Sequence, residues 1–116
     1  MLARPVIKEI AIKNLEELQE RMLQQNATLI YDGKLLDYLA DNGTDVYNGA
    51  RPLARLINRV VLAPIARKLV VLPKQSGLFY EFTVVVEGNP PGEDENGEVE
   101  TIEKRKLNFK VREIRK

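Results

Sequence analysis

Apolar residues in this chain recur every three or four positions as far as Leu69 and every second position from Tyr80 onward, with Pro73 between the two regimes. A 3.6-residue period marks a helix with one buried stripe, and a two-residue period marks a strand with one buried face. The chain is therefore expected to fold as α+β, with three main helices packed on one side of a small three-stranded sheet.

The helical part divides by its breakers. Ile7, Ala11, Leu15, Leu18 and Met22 share one face, Pro5 suits the first turn, and Lys8, Glu16, Glu17, Glu20 and Arg21 fall largely opposite. This reads as a one-sided helix packed on its own domain. Asn26 breaks it, and Ala27 to Tyr31 is β-prone. Asp32 then fits an N-cap, Leu35, Leu36, Leu39 and Ala40 form a stripe, and Gly43 is expected as the left-handed residue closing a second helix. Asp45 to Gly49 is turn-like. A longer helix starts near Ala50 with Pro52 in its first turn, and it buries Leu53, Leu56, Ile57, Val60, Val61 and Ile65. Pro64 cannot donate to the Val60 carbonyl, so a kink is expected there, with helix continuing through Leu69.

Beyond Pro73, Tyr80, Phe82, Val84 and Val86 alternate with polar neighbours, as do Leu107, Phe109 and Val111. These runs read as an antiparallel pair that completes a sheet with the segment around Leu29. Between them, Gly88 to Lys104 is too polar and too rich in breakers to pack, and reads as a long mobile hairpin loop whose acidic run is solvated surface rather than a cation site. With 116 residues and 44% hydrophobic content the chain can bury one modest core. We expect one domain over 1–116, with its core about 6–86, the acidic loop about 88–104 and a final strand about 105–114. The core should include Leu18, Leu36, Leu53, Ile57, Val60, Phe82 and Val84.

Composition excludes much chemistry. Histidine and cysteine are both absent, which removes disulfides, thiolate or imidazole metal sites, and nucleophiles that need either group. The only serine, Ser76, lies in a turn-like Lys-Gln-Ser-Gly stretch. A P-loop needs Gly-x-x-x-x-Gly-Lys-Ser/Thr, yet the only Gly-Lys pair, Gly33-Lys34, is followed by Leu35, so no catalysis is expected of the chain in isolation. A net charge of +1 gives no global argument for nucleic acid, and no run approaches the roughly 20 apolar residues of a bilayer span. Neither nucleic acid nor a membrane is expected as partner, and no metal site is assigned.

What remains is Gly49-Ala50-Arg51-Pro52-Leu53, followed by Arg55 and Leu56. Arginine in a first helical turn faces partial positive charge. The arrangement makes sense if a phosphate sits opposite, with free amides and a guanidinium converging on one oxyanion. On the residues alone the favoured reading is a surface arginine on a capped helix. Arg51, Arg55 and Arg59 also form an i, i+4, i+8 stripe, which admits an alternative: a small nucleic-acid-binding or adaptor module. The absence of aromatic residues among these cations argues against it, and Arg55 and Arg59 fit a solvated face or a contact with a neighbouring subunit.

The stretch Gly49 to Leu53, with Leu56-Ile57 one turn on and Pro64 farther along, resembles the second-sensor helix of ClpB-type disaggregases and their Clp relatives. The helix with Leu15 and Leu18, the short strand and the Leu35 to Ala40 helix resemble the rest of the same C-terminal small subdomain in the same order, over approximately Val6 to Val86. Asn48 stands where that family often has tyrosine, with Tyr47 adjacent, and the acidic loop and final strand extend beyond the family pattern. The resemblance implies a lid on a large AAA+ subdomain, with ATP or ADP and Mg in the cleft between them and Gly49, Ala50 and Arg51 at the nucleotide. It implies partners in the large subdomain of its own chain and of the neighbouring subunit, a homo-hexameric parent, and misfolded or aggregated polypeptides as substrates. The location it implies is intracellular, cytoplasmic or in the mitochondrial matrix.

Overall fold

A computed structural model describes residues 2–45, 47–92, 96–97 and 102–116. Helix α1 spans Arg4–Leu23, strand β1 Ala27–Ile30, α2 Gly33–Asn42, α3 Arg51–Ile57, a π turn Asn58–Leu62, α4 Ala63–Val71, β2 Leu78–Glu87 and β3 Lys106–Arg115. The architecture is α+β, as the change of period requires. The heart of the acidic loop, at 93–95 and 98–101, lies outside the described residues, so the expectation of a mobile loop there is not addressed.

The sheet is mixed, in the order β1-β2-β3. Asn26 leaves α1 with φ 56°, a left-handed conformation that asparagine tolerates, and its carbonyl accepts the Tyr80 amide at 2.9 Å. From there β1 runs parallel to β2, with Leu29 opposite Phe82. Three helical segments separate the two strands, and a crossover of that kind is what parallel pairing needs. Strand β3 returns antiparallel to β2, pairing Val84 with Phe109 and Phe82 with Val111. On β2 the side chains of Leu78, Tyr80, Phe82, Val84 and Val86 are buried and meet the core residues of α1, α2 and α3.

Leu36 and Val60, expected in the core, are only half buried, while Leu35 and Val61, expected on the same apolar faces, are fully buried. The π turn explains the second difference. In an α-helix a four-residue step overshoots a full turn by about 40°, so a strict four-residue repeat winds around the surface. Leu53, Ile57, Val61 and Ile65 keep that repeat and are nevertheless all buried. Between Ile57 and Ile65 the Ala63 amide reaches the Asn58 carbonyl, one residue farther back than in an α-helix. More residues per turn unwind part of the drift. The same turn answers the expected kink, because Pro64 becomes part of the first turn of α4, where its missing amide is not required.

Gly43 has φ −101° and is not the left-handed residue expected. Glycine is required for space instead. A Cβ would stand 2.6 Å from Leu53 Cδ1 and 2.7 Å from the Leu39 carbonyl oxygen, so the missing side chain lets α2 close on α3. The expected N-cap is present: the Asp32 carboxylate accepts the Lys34 amide at 3.0 Å. Among the described residues no helix is long and apolar enough to cross a membrane.

Candidate functional site

The segment entering α3 is organised by one carboxylate. Asp45 accepts from the Tyr47 amide at 2.9 Å, the Asn48 amide at 2.6 Å and Asn48 Nδ2 at 3.1 Å. These bonds, the Asn48 side chain first, hold the Asp45 carboxyl below its ordinary range. Asp45 and Gly49 also exchange backbone bonds in both directions, at 3.1 and 3.2 Å. Gly49 closes the loop with φ 60° and open space around its Cα, so conformation and not crowding calls for glycine. An Asx turn with a second polar residue three positions on is the sequence signal for this loop.

Arg51 is the first residue of α3 and is exposed. Two of the amides expected to converge around it are already bonded within the chain. The Arg51 amide donates to the Asn48 carbonyl and the Leu53 amide to the Ala50 carbonyl, both at 3.1 Å, while Pro52 has no amide. The Arg51 guanidinium makes no ion pair among the described residues. Tyr47, beside the position where tyrosine was noted as usual, is 96% exposed and so packs on little of its own chain.

Three hollows among the described residues, of about 200 Å³ between α2 and the end of β2, about 290 Å³ between α1 and α4, and about 110 Å³ near Pro73, are lined by other residues than Gly49, Ala50 and Arg51. Tyr47, Asn48 and Arg51 are exposed on the surface of the domain.

A different charge cluster escaped the sequence reading. Arg105, just before β3, has a side chain only 3% exposed; it pairs with Asp41 at 3.0 Å and Glu103 at 2.7 Å and lies 5.2 Å from the Tyr38 ring centroid. Arg4 bridges Asp41 and Asp37, and Lys8 reaches Asp37 at 2.5 Å. Glu103 also accepts from Asn42 Nδ2 at 2.8 Å. The Arg105 guanidinium above all, with Asn42, pushes the Glu103 carboxyl down to about 2. This end of the acidic segment was expected to be solvated, yet it is pinned to α2. Lys104 and Lys106 flank Arg105, so nothing local marked it as the buried one of three.

The α+β fold, with its helices packed on a mixed three-stranded sheet, is consistent with an AAA+ C-terminal small subdomain. Residues 2–75 match the family model of the C-terminal, D2-small domain of ClpB protein, and the chain belongs to that family. Curated relatives agree. The chain is 39% identical over 69 residues to a chaperone protein ClpB of Meiothermus ruber, covering 60% of this chain and 8% of the relative. It is 40% identical over 76 residues to that of Rickettsia conorii, covering 66% and 9%, and 32% identical over 94 residues to ClpB 1 of Thermosynechococcus vestitus, covering 81% and 10%. The chain thus spans about a tenth or less of the length of these relatives. The family match stops at Gln75, before β2, earlier than the resemblance read from the residues.

Proposed function

We propose that this domain is the nucleotide-sensing lid of an ATP-dependent protein-unfolding chaperone, in which Gly49, Ala50 and Arg51 face ATP or ADP with Mg in a cleft shared with a large AAA+ subdomain. The observation that carries this reading is an exposed Arg51, without an ion pair among the described residues, on a loop braced by Asp45. A guanidinium presented in this way offers two parallel donors to a phosphate brought by another surface. The Arg51 amide is already used, so Arg51 contributes through its side chain. Hydrolysis and release would then move the lid, here the whole of 1–116, against the large subdomain of its own chain and of the neighbour in a homo-hexameric ring. The substrates of such a ring would be misfolded or aggregated polypeptides, and its location intracellular, cytoplasmic or in the mitochondrial matrix.

Arg51→Ala in the full-length protein tests the reading. ATP turnover should fall by roughly tenfold or more, as when a preorganised cationic donor is removed, while the fold survives because the side chain is exposed. Lysine should rescue only in part, since a point charge cannot reproduce a planar fork. Arg59→Ala is the control, roughly 12 Å along the helix. Normal turnover in Arg51→Ala with normal ring assembly, or equal defects at both positions, would refute phosphate sensing.

A further inference from the structure

The two edges of the sheet are finished differently. Strand β1 is four residues long, and Gln19 Nε2 of α1 donates to its Leu29 carbonyl at 3.0 Å, so that edge is short and partly capped. Strand β3 bounds the other side with ten residues, and among the described residues no strand lies beyond it. The direction of its free groups follows from the ladder. The Lys116 amide donates to the Gly77 carbonyl at 2.8 Å, in the register that pairs Leu78 with Arg115. Bonded and non-bonded pairs alternate along an antiparallel ladder. Lys106, Asn108, Lys110, Arg112 and Ile114 therefore bond inward to β2, while Leu107, Phe109, Val111, Glu113 and Arg115 turn their amides and carbonyls outward. The Tyr80 amide fits this alternation, since it donates away from β3, to the Asn26 carbonyl. None of the outward groups has a hydrogen-bond partner among the described residues.

A bare edge of this length is a template for strand addition. Its side chains select what can be added. On the face away from the helices, Lys106 and Lys110 are exposed and make no ion pair among the described residues. Arg112 on the same face pairs with Glu81 at 3.3 Å, yet its side chain is 72% exposed. On the face toward the helices, Leu107 and Phe109 are half buried and Val111 is exposed, so apolar surface there is left uncovered.

We infer that β3 is a docking edge for an extended peptide of another protein, one that alternates acidic and apolar side chains and adds to the sheet as a fourth strand. The peptide backbone satisfies the outward amides and carbonyls. Side chains on an added strand share the faces of the residues they lie beside, so its carboxylates meet Lys106 and Lys110 while its apolar groups cover Leu107, Phe109 and Val111. A second β3 is the poorer occupant. The strand carries four cations, Lys106, Lys110, Arg112 and Arg115, against one carboxylate, Glu113, so two such edges repel.

The probe is a fluorescent peptide of about eight residues that alternates glutamate and valine, a length within the usual range of strands. Its anisotropy should rise with the chain at low ionic strength and fall back as salt screens the exposed charges. A peptide with lysine in place of glutamate should not bind, and one with its glutamates and valines in two blocks should bind at least about tenfold more weakly. Amide exchange reads the geometry. Leu107, Phe109, Val111, Glu113 and Arg115 should exchange quickly in the free chain and slowly in the complex, while their inward-bonded neighbours are slow in both. Val111→Pro removes an outward amide and no ladder bond, so it should weaken binding at least about tenfold. Lys106→Glu with Lys110→Glu should transfer the preference to the lysine peptide, and these exposed positions keep the test available if circular dichroism shows that Val111→Pro unfolds. No binding of the glutamate peptide at low salt overturns the inference, as does protection confined to α3 and α4 or unchanged binding in the folded variants. Self-association that protects the same outward amides would overturn it in favour of a second copy. Arg51 is untouched and no nucleotide is present, so failure here leaves the lid reading standing.

Discussion

Two charged regions of this domain are built on opposite terms. At the corner where α1, α2 and the start of β3 meet, Arg4, Lys8, Asp37, Asp41, Glu103 and Arg105 all have partners within the chain. Along α3 and α4 no arginine or lysine has one among the described residues. Exposed pairs contribute little stability, and a half-buried network contributes mainly by leaving no charge unsatisfied. The corner therefore reads as internal scaffolding that anchors β3 to the helices, and the α3–α4 rod as a face turned outward.

The largest effect expected from this contrast is at Arg105. Arg105→Ala should destabilise the fold by about 2–3 kcal/mol, below the usual range for a broken buried pair because Asp41 and Glu103 can regain water. Part of the loss is packing on Tyr38, so lysine should fall between alanine and the native residue. Urea denaturation measures it, and a change within experimental error would mean that the corner is ornamental.

Acid should loosen the same corner next. Glu103 titrates at about 2 in the fold against an ordinary value of 4.5. Its folded value is depressed, so its contribution is complete above pH 4.5 and is lost as pH falls toward 2. Stability measured stepwise through that window should decline with a slope that Arg105→Ala flattens and Arg59→Ala leaves alone. An equal slope in all three proteins would place the acid sensitivity elsewhere.

The smallest effect is expected on the rod. Arg55→Ala and Arg59→Ala should each change stability by less than about 0.5 kcal/mol. Thermal melts of the two variants check it. A loss comparable with that at Arg105 would show that the arginine stripe is structural, and the comparison would collapse.

The contrast also marks where sequence reading succeeds. Element types, the Asp32 cap and the buried face of β2 follow from local spacing, and local spacing is what a helix or strand enforces on its own neighbours. Arg51 stood out as a candidate because its motif is contiguous. The site's detail was not legible there: whether the first amides of α3 are free depends on the Asn48 and Ala50 carbonyls, and only the loop's folded path brings them there. Arg105 could not be singled out, because its partners Asp41 and Asn42-bound Glu103 come together only when β3 docks on α2.

The sequence by itself determined an α+β order of helices then strands and the breaks at Asn26 and Pro73, since each is a property of neighbours along the chain. Tertiary structure decided the rest. It set β1 parallel to β2, because the helices between them must cross over. Gly43 became a matter of clearance, because α3 passes within van der Waals range of it. Of the two adjacent valines expected in the core, Val61 is fully buried and Val60 only half so, where a π turn at Asn58–Leu62 resets the register. Packing against a fixed core chooses among helical registers that local propensity leaves nearly equal in energy.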